Sequence, residues 1–189
     1  FLVGLSHGQS PSGAYEYILS HYTDLKRPDL IRYTFVNSKL KRQRGLKGVT
    51  DAIGFLKQLL NSQRIKKNQI LGRSLDRNDI QAYCDGLNKK LANYLEENGK
   101  DGLDYMFLAT NPTGQVAGIS RVSESFGVEE IGMVVKDGSE LELTLTPWFI
   151  LKTKRIAFLA TKAEKRRPLA WLFYRWGKPD ESPSFLRYM

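Results

Sequence analysis

The sequence predicts a single three-layer α/β domain, with a mainly parallel sheet lying between helices. Its length of 189 residues suits one domain with a substantial core. Short apolar or β-branched segments alternate with amphipathic helices along the chain, which is typical of a parallel sheet. No apolar run reaches the roughly 18 residues that a membrane-spanning helix needs, so we expect no membrane span.

The first part of the chain shows this alternation clearly. Residues 1–5 and 30–36 are rich in apolar and β-branched side chains and predict two strands. Between them, residues 11–22 predict an amphipathic helix that has Ser10 as its N-cap and Pro11 at its first position.

Two further helices are predicted in the middle of the chain, followed by more strands. The first is capped by Thr50, and the second begins near Asn78 and ends at residues 98–99. One apolar face of the first helix contains Ile53, Leu56 and Leu60. The remaining predicted strands are residues 104–110, 130–135, 141–145 and 155–161, and the remaining helices are residues 147–153 and 163–174.

The net charge of +9 is unevenly distributed. Residues 26–77 carry 14 basic and 3 acidic side chains, whereas residues 78–146 carry 5 basic and 12 acidic ones. Such clustering favours a polyanionic partner, for example RNA, and a solvated basic surface is the open alternative. The candidate polyanion-binding residues are Lys41, Arg42, Arg44, Lys47, Arg64, Lys66, Lys67, Arg166 and Arg167.

Cysteine and histidine are scarce. Cys84 falls on a helical apolar stripe, so we expect a buried structural thiol. His7 and His21 are the only histidines, and with one cysteine they are too few for a typical zinc site. We therefore expect neither a metal nor a cofactor.

The loop after the first strand is the strongest candidate site. Its glycines match two catalytic patterns, but the histidine order of a serine hydrolase and the lysine of a P-loop are missing. A strand that passes through Gly8 and Ser10 into a helix directs backbone N–H groups toward an anion. An ordinary tight connection without a ligand is the alternative.

Several segments in order suggest a family. The loop Ser6-His7-Gly8-Gln9-Ser10-Pro11 compares with S-G-G-S-T-P, and residues 111–119 compare with G-P-D-G-H-T-A-S-L. Residues 142–146 compare with R-I-T-L-T, and residues 162–165 with a G-x-x-K segment. In these features the chain resembles the 6-phosphogluconolactonase and glucosamine-6-phosphate isomerase (deaminase) family, which implies a Rossmann-like fold. We expect one domain over residues 1–189 that lacks the helix and strand preceding this loop in the family.

The resemblance also indicates what has changed. The family's D-G-H motif aligns with Thr113 and Gln115, and its acidic D-E pair aligns with Asn37 and Ser38. None of these four side chains can act as a base near neutral pH. In addition, Glu142 replaces an arginine that would hold a phosphate or carboxylate.

Groups that bind phosphate are retained in part. The loop from Ser6 to Ser10 keeps its glycine and hydroxyls, Lys39 keeps a positive charge, and Lys165 aligns with the family's lysine. The resemblance thus implies a lactonase-like protein without catalysis that serves as a binding or structural component, possible ligands being a sugar phosphate or the RNA of a larger assembly. The alternative is a divergent active sugar-phosphate enzyme in which His7 replaces the lost base.

Overall fold

The computed structural model describes residues 1–39, 51–72, 79–119, 127–137 and 140–174. Within these ranges the strands are β1 (Leu2–Leu5), β2 (Arg32–Phe35), β3 (Asn37–Lys39), β4 (Tyr105–Ala109), β5 (Gly132–Asp137), β6 (Glu140–Leu145) and β7 (Ile156–Leu159). The helices are α1 (Ser12–Ser20), α2 (Ala52–Asn61), α3 (Ile80–Glu97), α4 (Pro147–Leu151) and α5 (Arg166–Tyr174). Single 3-10 turns span Tyr22–Asp24, Pro28–Leu30, Lys67–Gln69 and Ala163–Lys165.

The main sheet is parallel throughout, in the strand order β2-β1-β4-β7. This arrangement confirms the predicted three-layer α/β class with its mainly parallel sheet. A second sheet, in the order β3-β6-β5, is antiparallel. The sequence did not predict this second sheet, because β3 has only three residues and continues almost directly from β2.

Side chains alternate across the main sheet and divide the core in two. In β1, Leu2 packs with α3 and α4, whereas Val3 and Leu5 pack with α1 and α2. In β4, Met106 and Leu108 lie on the first face and Phe107 on the second. Strands that bury both faces need long apolar runs, which is why these segments were recognisable in the sequence.

Two predicted helix starts were wrong. Helix α1 begins at Ser12, and the hydroxyl of Ser10 accepts a hydrogen bond from Lys165 instead of capping the helix. Helix α2 is capped by Asp51, whose Oδ1 accepts from the N–H of Gly54 at 2.7 Å. Thr50, the predicted cap, lies outside the described residues. Thr50 and Asp51 are adjacent, and both are residue types that cap helices well, so the sequence did not show which of them caps α2.

Other predictions about the helices were confirmed wholly or in part. The buried face of α2 contains Leu56, as predicted, but its other buried residues are Ala52, Phe55 and Leu59. Helix α3 ends at Glu97 with Asn98 as its C-cap, and Gly99 follows with a φ of 59°, so the helix stops where the sequence predicted. Cys84 is buried on α3, and burial, with a contribution from Asp85, raises the pKa of its thiol to about 11.

The described helices include none that is long and apolar enough to cross a membrane. The same part of the chain contains no group of three or more His, Cys, Asp or Glu residues that could hold a metal ion.

Asp104 joins the start of β1 to the start of β4. Its carboxylate accepts from the N–H of Leu2 at 2.8 Å and from the ammonium of Lys100 at 2.8 Å, and Lys154 lies at 3.5 Å. Burial alone raises the pKa of Asp104, but the Lys100 and Leu2 hydrogen bonds and the nearby Lys154 outweigh it and leave the pKa below its ordinary value. The charged carboxylate therefore stabilises the amino-terminal ends of β1 and β4, at the side of the sheet opposite the carboxyl ends of the strands.

We predict that Asp104→Asn lowers the free energy of unfolding by about 2 kcal/mol at pH 7. Because the folded-state pKa of Asp104 is depressed, its contribution is present above the ordinary carboxyl range and is lost as pH falls through the folded pKa. The difference from wild type, measured by urea denaturation, should therefore shrink below about pH 4. Asp101→Asn, at an exposed neighbouring position, is the control; equal stability of wild type and Asp104→Asn at pH 7 would contradict this role.

Candidate functional site

The candidate site is a cleft at the carboxyl ends of β1 and β4. Strand β2, the next strand in the chain after β1, pairs with one edge of β1, and β4 pairs with its other edge. The strand order therefore reverses between β1 and β4, and these two strands flank that point. Ligands of open parallel sheets bind in the crevice at such a point. A cleft of about 450 Å³ lies there, lined by the loop after β1, the turn after β4, and residues from β6 and the turn before α5.

The loop from Ser6 to Ser10 presents unused backbone donors to this cleft. In the part of the chain that the structure describes, the N–H groups of Gly8, Gln9 and Ser10 have no protein acceptor. Gly8 adopts a φ of 109°, and nothing lies within 4 Å of the space that a Cβ would take there. The start of the loop is held in place, because the hydroxyl of the buried Tyr15 donates a hydrogen bond to the carbonyl of Ser6 at 2.9 Å. Three free donors in one short loop form an anion-binding arrangement.

Lys165 brings positive charge to the same loop. Its side chain is only 8% exposed, lines the cleft, and donates a hydrogen bond to the hydroxyl of Ser10. Burial lowers the pKa of Lys165 below its ordinary value; Glu164 opposes this shift and Lys162 adds to it. An anion bound beside Ser10 would offset the cost of burying this ammonium, since buried charges require a partner.

Asn37 connects the loop to the wall of the cleft. Its Oδ1 accepts from the N–H of His7 at 3.1 Å, and its Nδ2 donates to Oε1 of Glu142 at 2.6 Å. Glu142 is 1% exposed, and Gly118 leaves room for it, because a Cβ at Gly118 would lie 2.7 Å from its carboxylate. Two of the positions that depart from the family pattern, 37 and 142, are therefore in direct contact.

The turn after β4 is held by Asn111. Its Oδ1 accepts from the N–H of Thr113 at 3.0 Å and from the N–H of Gln115 at 2.8 Å, and its Nδ2 donates to Oε1 of Gln115 at 2.7 Å. Gln115 also donates to the carbonyl of Gly118 at 2.8 Å. The side chain that aligns with the family's histidine thus fixes the shape of the turn through amide hydrogen bonds.

His7 is the titratable side chain of the loop. Its Nδ1 is buried, makes no hydrogen bond and lies 3.8 Å from Oδ2 of Asp51, the residue that caps α2. Both side chains are largely but not fully buried, at 20% and 25% exposure. Asp51 was not singled out from the sequence, because its proximity to His7 depends on how α2 packs beside the loop.

Most of the sequence-predicted pocket residues come together in this cleft. The lining includes Ser6, His7, Gly8, Gln9, Ser10, Asn37, Gln115 and Lys165. Thr113 is exposed outside it, and Ser38, the next residue along β3 after Asn37, does not line it either. Lys39 lies in β3, but its side chain is outside the described part. Sequence reasoning missed Thr110, Asn111, Lys162 and Glu164, which also line the cleft and lie in or beside segments that carried the resemblance.

Five of the nine predicted polyanion-binding residues lie in the described part of the chain, and all five are exposed. Arg64, Lys66 and Lys67 are exposed, and Arg64 lies 6.0 Å from the ring centre of Tyr22. Arg166 and Arg167 are exposed on α5. The other candidates, Lys41, Arg42, Arg44 and Lys47, lie outside the described residues.

Comparison with solved structures identifies the fold. A 6-phosphogluconolactonase from Thermotoga maritima aligns with a TM-score of 0.73 at 18% identity, over 98% of this chain and 79% of that one. The enzyme from Trypanosoma cruzi aligns with a TM-score of 0.74 at 21% identity, over 100% and 76%. The chain has the 6-phosphogluconolactonase fold. A monomeric glucosamine-6-phosphate deaminase also aligns, with a TM-score of 0.63 at 19% identity, over 98% and 80%.

These matches confirm the predicted resemblance at the level of the fold. No protein-family model matches the sequence, and no curated protein matches it either. At identities near 20%, the shared fold does not carry the activity with it.

We predict that Asn37→Asp destabilises this 6-phosphogluconolactonase-fold protein by about 2 kcal/mol, because it replaces a buried donor with a carboxylate facing Glu142. In a Glu142→Gln background, the same substitution should cost much less, since the glutamine amide can donate to the new carboxylate. Urea denaturation of all four proteins gives the coupling between the two positions. Equal costs in both backgrounds would show that the two side chains do not interact.

Proposed function

We propose that this protein binds a phosphorylated small molecule, of the sugar-phosphate class, in the cleft and does not catalyse the family's reactions. The observation that carries the proposal is the buried Lys165 ammonium beside Ser10 and the free N–H groups of the Gly8 loop. Backbone donors at a helix start together with a lysine are a general means of holding a phosphate.

The fold supports the class of ligand. The structural neighbours are described as 6-phosphogluconolactonases and a glucosamine-6-phosphate deaminase, whose names imply phosphorylated sugar substrates. The cleft of this chain lies where the strand order reverses and has room for a small phosphorylated molecule.

The side chains in the cleft support binding without the family's acid–base chemistry. Gln115 uses its amide to hold the turn, and Asn37 uses both ends of its amide within the wall. Neither can take up a proton near neutral pH. Since a general acid or base contributes about 10²–10⁴-fold to a rate, little turnover is expected by that route.

Binding to RNA or another polyanion stays a prediction from the clustered basic charge. Arg64, Lys66 and Lys67 are exposed, as such a role requires, but exposure is equally expected of a solvated surface. We therefore give the cleft, and not the basic residues, the central place in the proposal.

The first test measures binding of inorganic phosphate by calorimetry. Lys165→Met should weaken binding at least about tenfold, because it removes a charged donor from the site. Lys89→Met, at an exposed position on α3, is the matched control and should bind like wild type. Equal affinity of Lys165→Met and wild type, or no binding to either, would contradict the proposed site.

The second test is a lactonase assay with 6-phosphogluconolactone. We expect the rate with wild-type protein to equal the spontaneous hydrolysis rate. Turnover above that rate that disappears in His7→Ala would instead establish the alternative, an active enzyme with a relocated base.

A further inference from the structure

His7 occupies a position where the resembled family has a glycine, and it introduces an ionisable ring into the anion loop. The backbone of His7 is fixed, because its N–H donates to Oδ1 of Asn37 at 3.1 Å. The ring is oriented as well, since its buried Nδ1 lies 3.8 Å from Oδ2 of Asp51. His7 itself lines the cleft, so Nε2, on the other edge of the ring, is the nitrogen available to a ligand.

Asp51 is held in place independently of His7. Its Oδ1 accepts the N–H of Gly54 at 2.7 Å as the N-cap of α2, which leaves Oδ2 on the side of the histidine. A carboxylate at this distance orients the imidazole ring, whose Nδ1 faces it. The arrangement therefore places an ionisable ring in the same loop as the free N–H groups of Gly8 and Gln9.

Charged groups surround His7 on several elements. Asp51 faces it from the start of α2, and Glu142 of β6 is reached through the Asn37 bridge. Lys162, Glu164 and Lys165 line the same cleft from the turn before α5. Two lysines and two glutamates line the cleft, and protonation of His7 adds one positive charge to this lining.

We infer that protonated His7, held by Asp51, is a ligand-binding group of the anion site, and that the cleft therefore binds a dianionic group more tightly when this histidine is charged. The inference rests on the proposed function, since it concerns the same cleft. It adds to that function a residue and a dependence on pH. No residue of the family pattern supplies this contact, because the loop there carries glycine at the same place.

Inorganic sulfate is the appropriate probe, because it remains a dianion across the pH range in which histidine side chains titrate, whereas inorganic phosphate changes charge close to neutral pH, within the same range. Wild-type protein should bind sulfate about tenfold more tightly at pH 5.5 than at pH 8.0, because protonated His7 contributes one additional charged hydrogen bond to the anion. In His7→Gln, which keeps a polar side chain of similar size, most of this difference should disappear. Any residual dependence in that variant belongs to Lys165, whose pKa is lowered by burial.

The chain offers a matched control for the histidine and a second variant for its partner. His21→Gln removes the only other histidine, which is exposed and stacked on Tyr17, and should leave the pH dependence unchanged. Asp51→Asn retains the oxygen that caps α2 but removes the carboxylate charge that faces Nδ1 of His7, so the difference in sulfate affinity between the two pH values should shrink. Thermal unfolding of each variant confirms that it is folded.

The outcomes separate this inference from the proposed function. Sulfate binding that depends on Lys165 but is equal at the two pH values overturns the role of His7 and leaves the anion site standing. An unchanged pH dependence in His7→Gln overturns it as well. Absence of sulfate binding at both pH values overturns the inference and the proposed function together.

Discussion

The position of β1 inside the main sheet determines where the loop of the candidate site lies. It is bounded by parallel strands on both edges and by a hydrophobic cluster on each face, so its direction and its carboxyl end are fixed. At its amino end, Asp104 holds the N–H of Leu2, and at its carboxyl end the loop from Ser6 enters the cleft. A loop that leaves a strand constrained in this way can present backbone N–H groups in a defined direction without help from bound ligands.

The wall of the cleft illustrates how a change at one position depends on another. An aspartate at position 37 facing an arginine at position 142 would form an ion pair; here an amide faces a carboxylate and donates to it at 2.6 Å. Either half of this exchange alone would place like charges together or leave a buried group poorly matched. Gly118 belongs to the same arrangement, since any Cβ there would collide with the carboxylate of Glu142. Asn37, Glu142 and Gly118 thus depend on one another in the wall of the cleft.

The sequence predicted the fold well where periodicity determines it and poorly where packing does. Burial of both faces made β1 and β4 recognisable as apolar runs, and capping chemistry located the C-cap of α3 at Asn98. The antiparallel sheet was missed, because three residues of β3 carry no periodic pattern. In the site, motif comparison found the loop and Lys165, but Asp51 could not be found, since its contact with His7 joins residues 44 positions apart through tertiary packing alone.

The two kinds of group in the cleft differ in how easily they can be lost, and this difference bears on the function. The donors of the proposed phosphate site are largely backbone N–H groups, whose presence requires only that Gly8 keep its φ of 109° and that the strand and helix keep their places. Acid–base groups are single side chains, and one substitution removes each of them. A fold of this type can therefore lose catalysis while its anion site persists. The role that we propose for the His7–Asp51 pair concerns how firmly an anion is held, and it does not require that any bond in the ligand be broken.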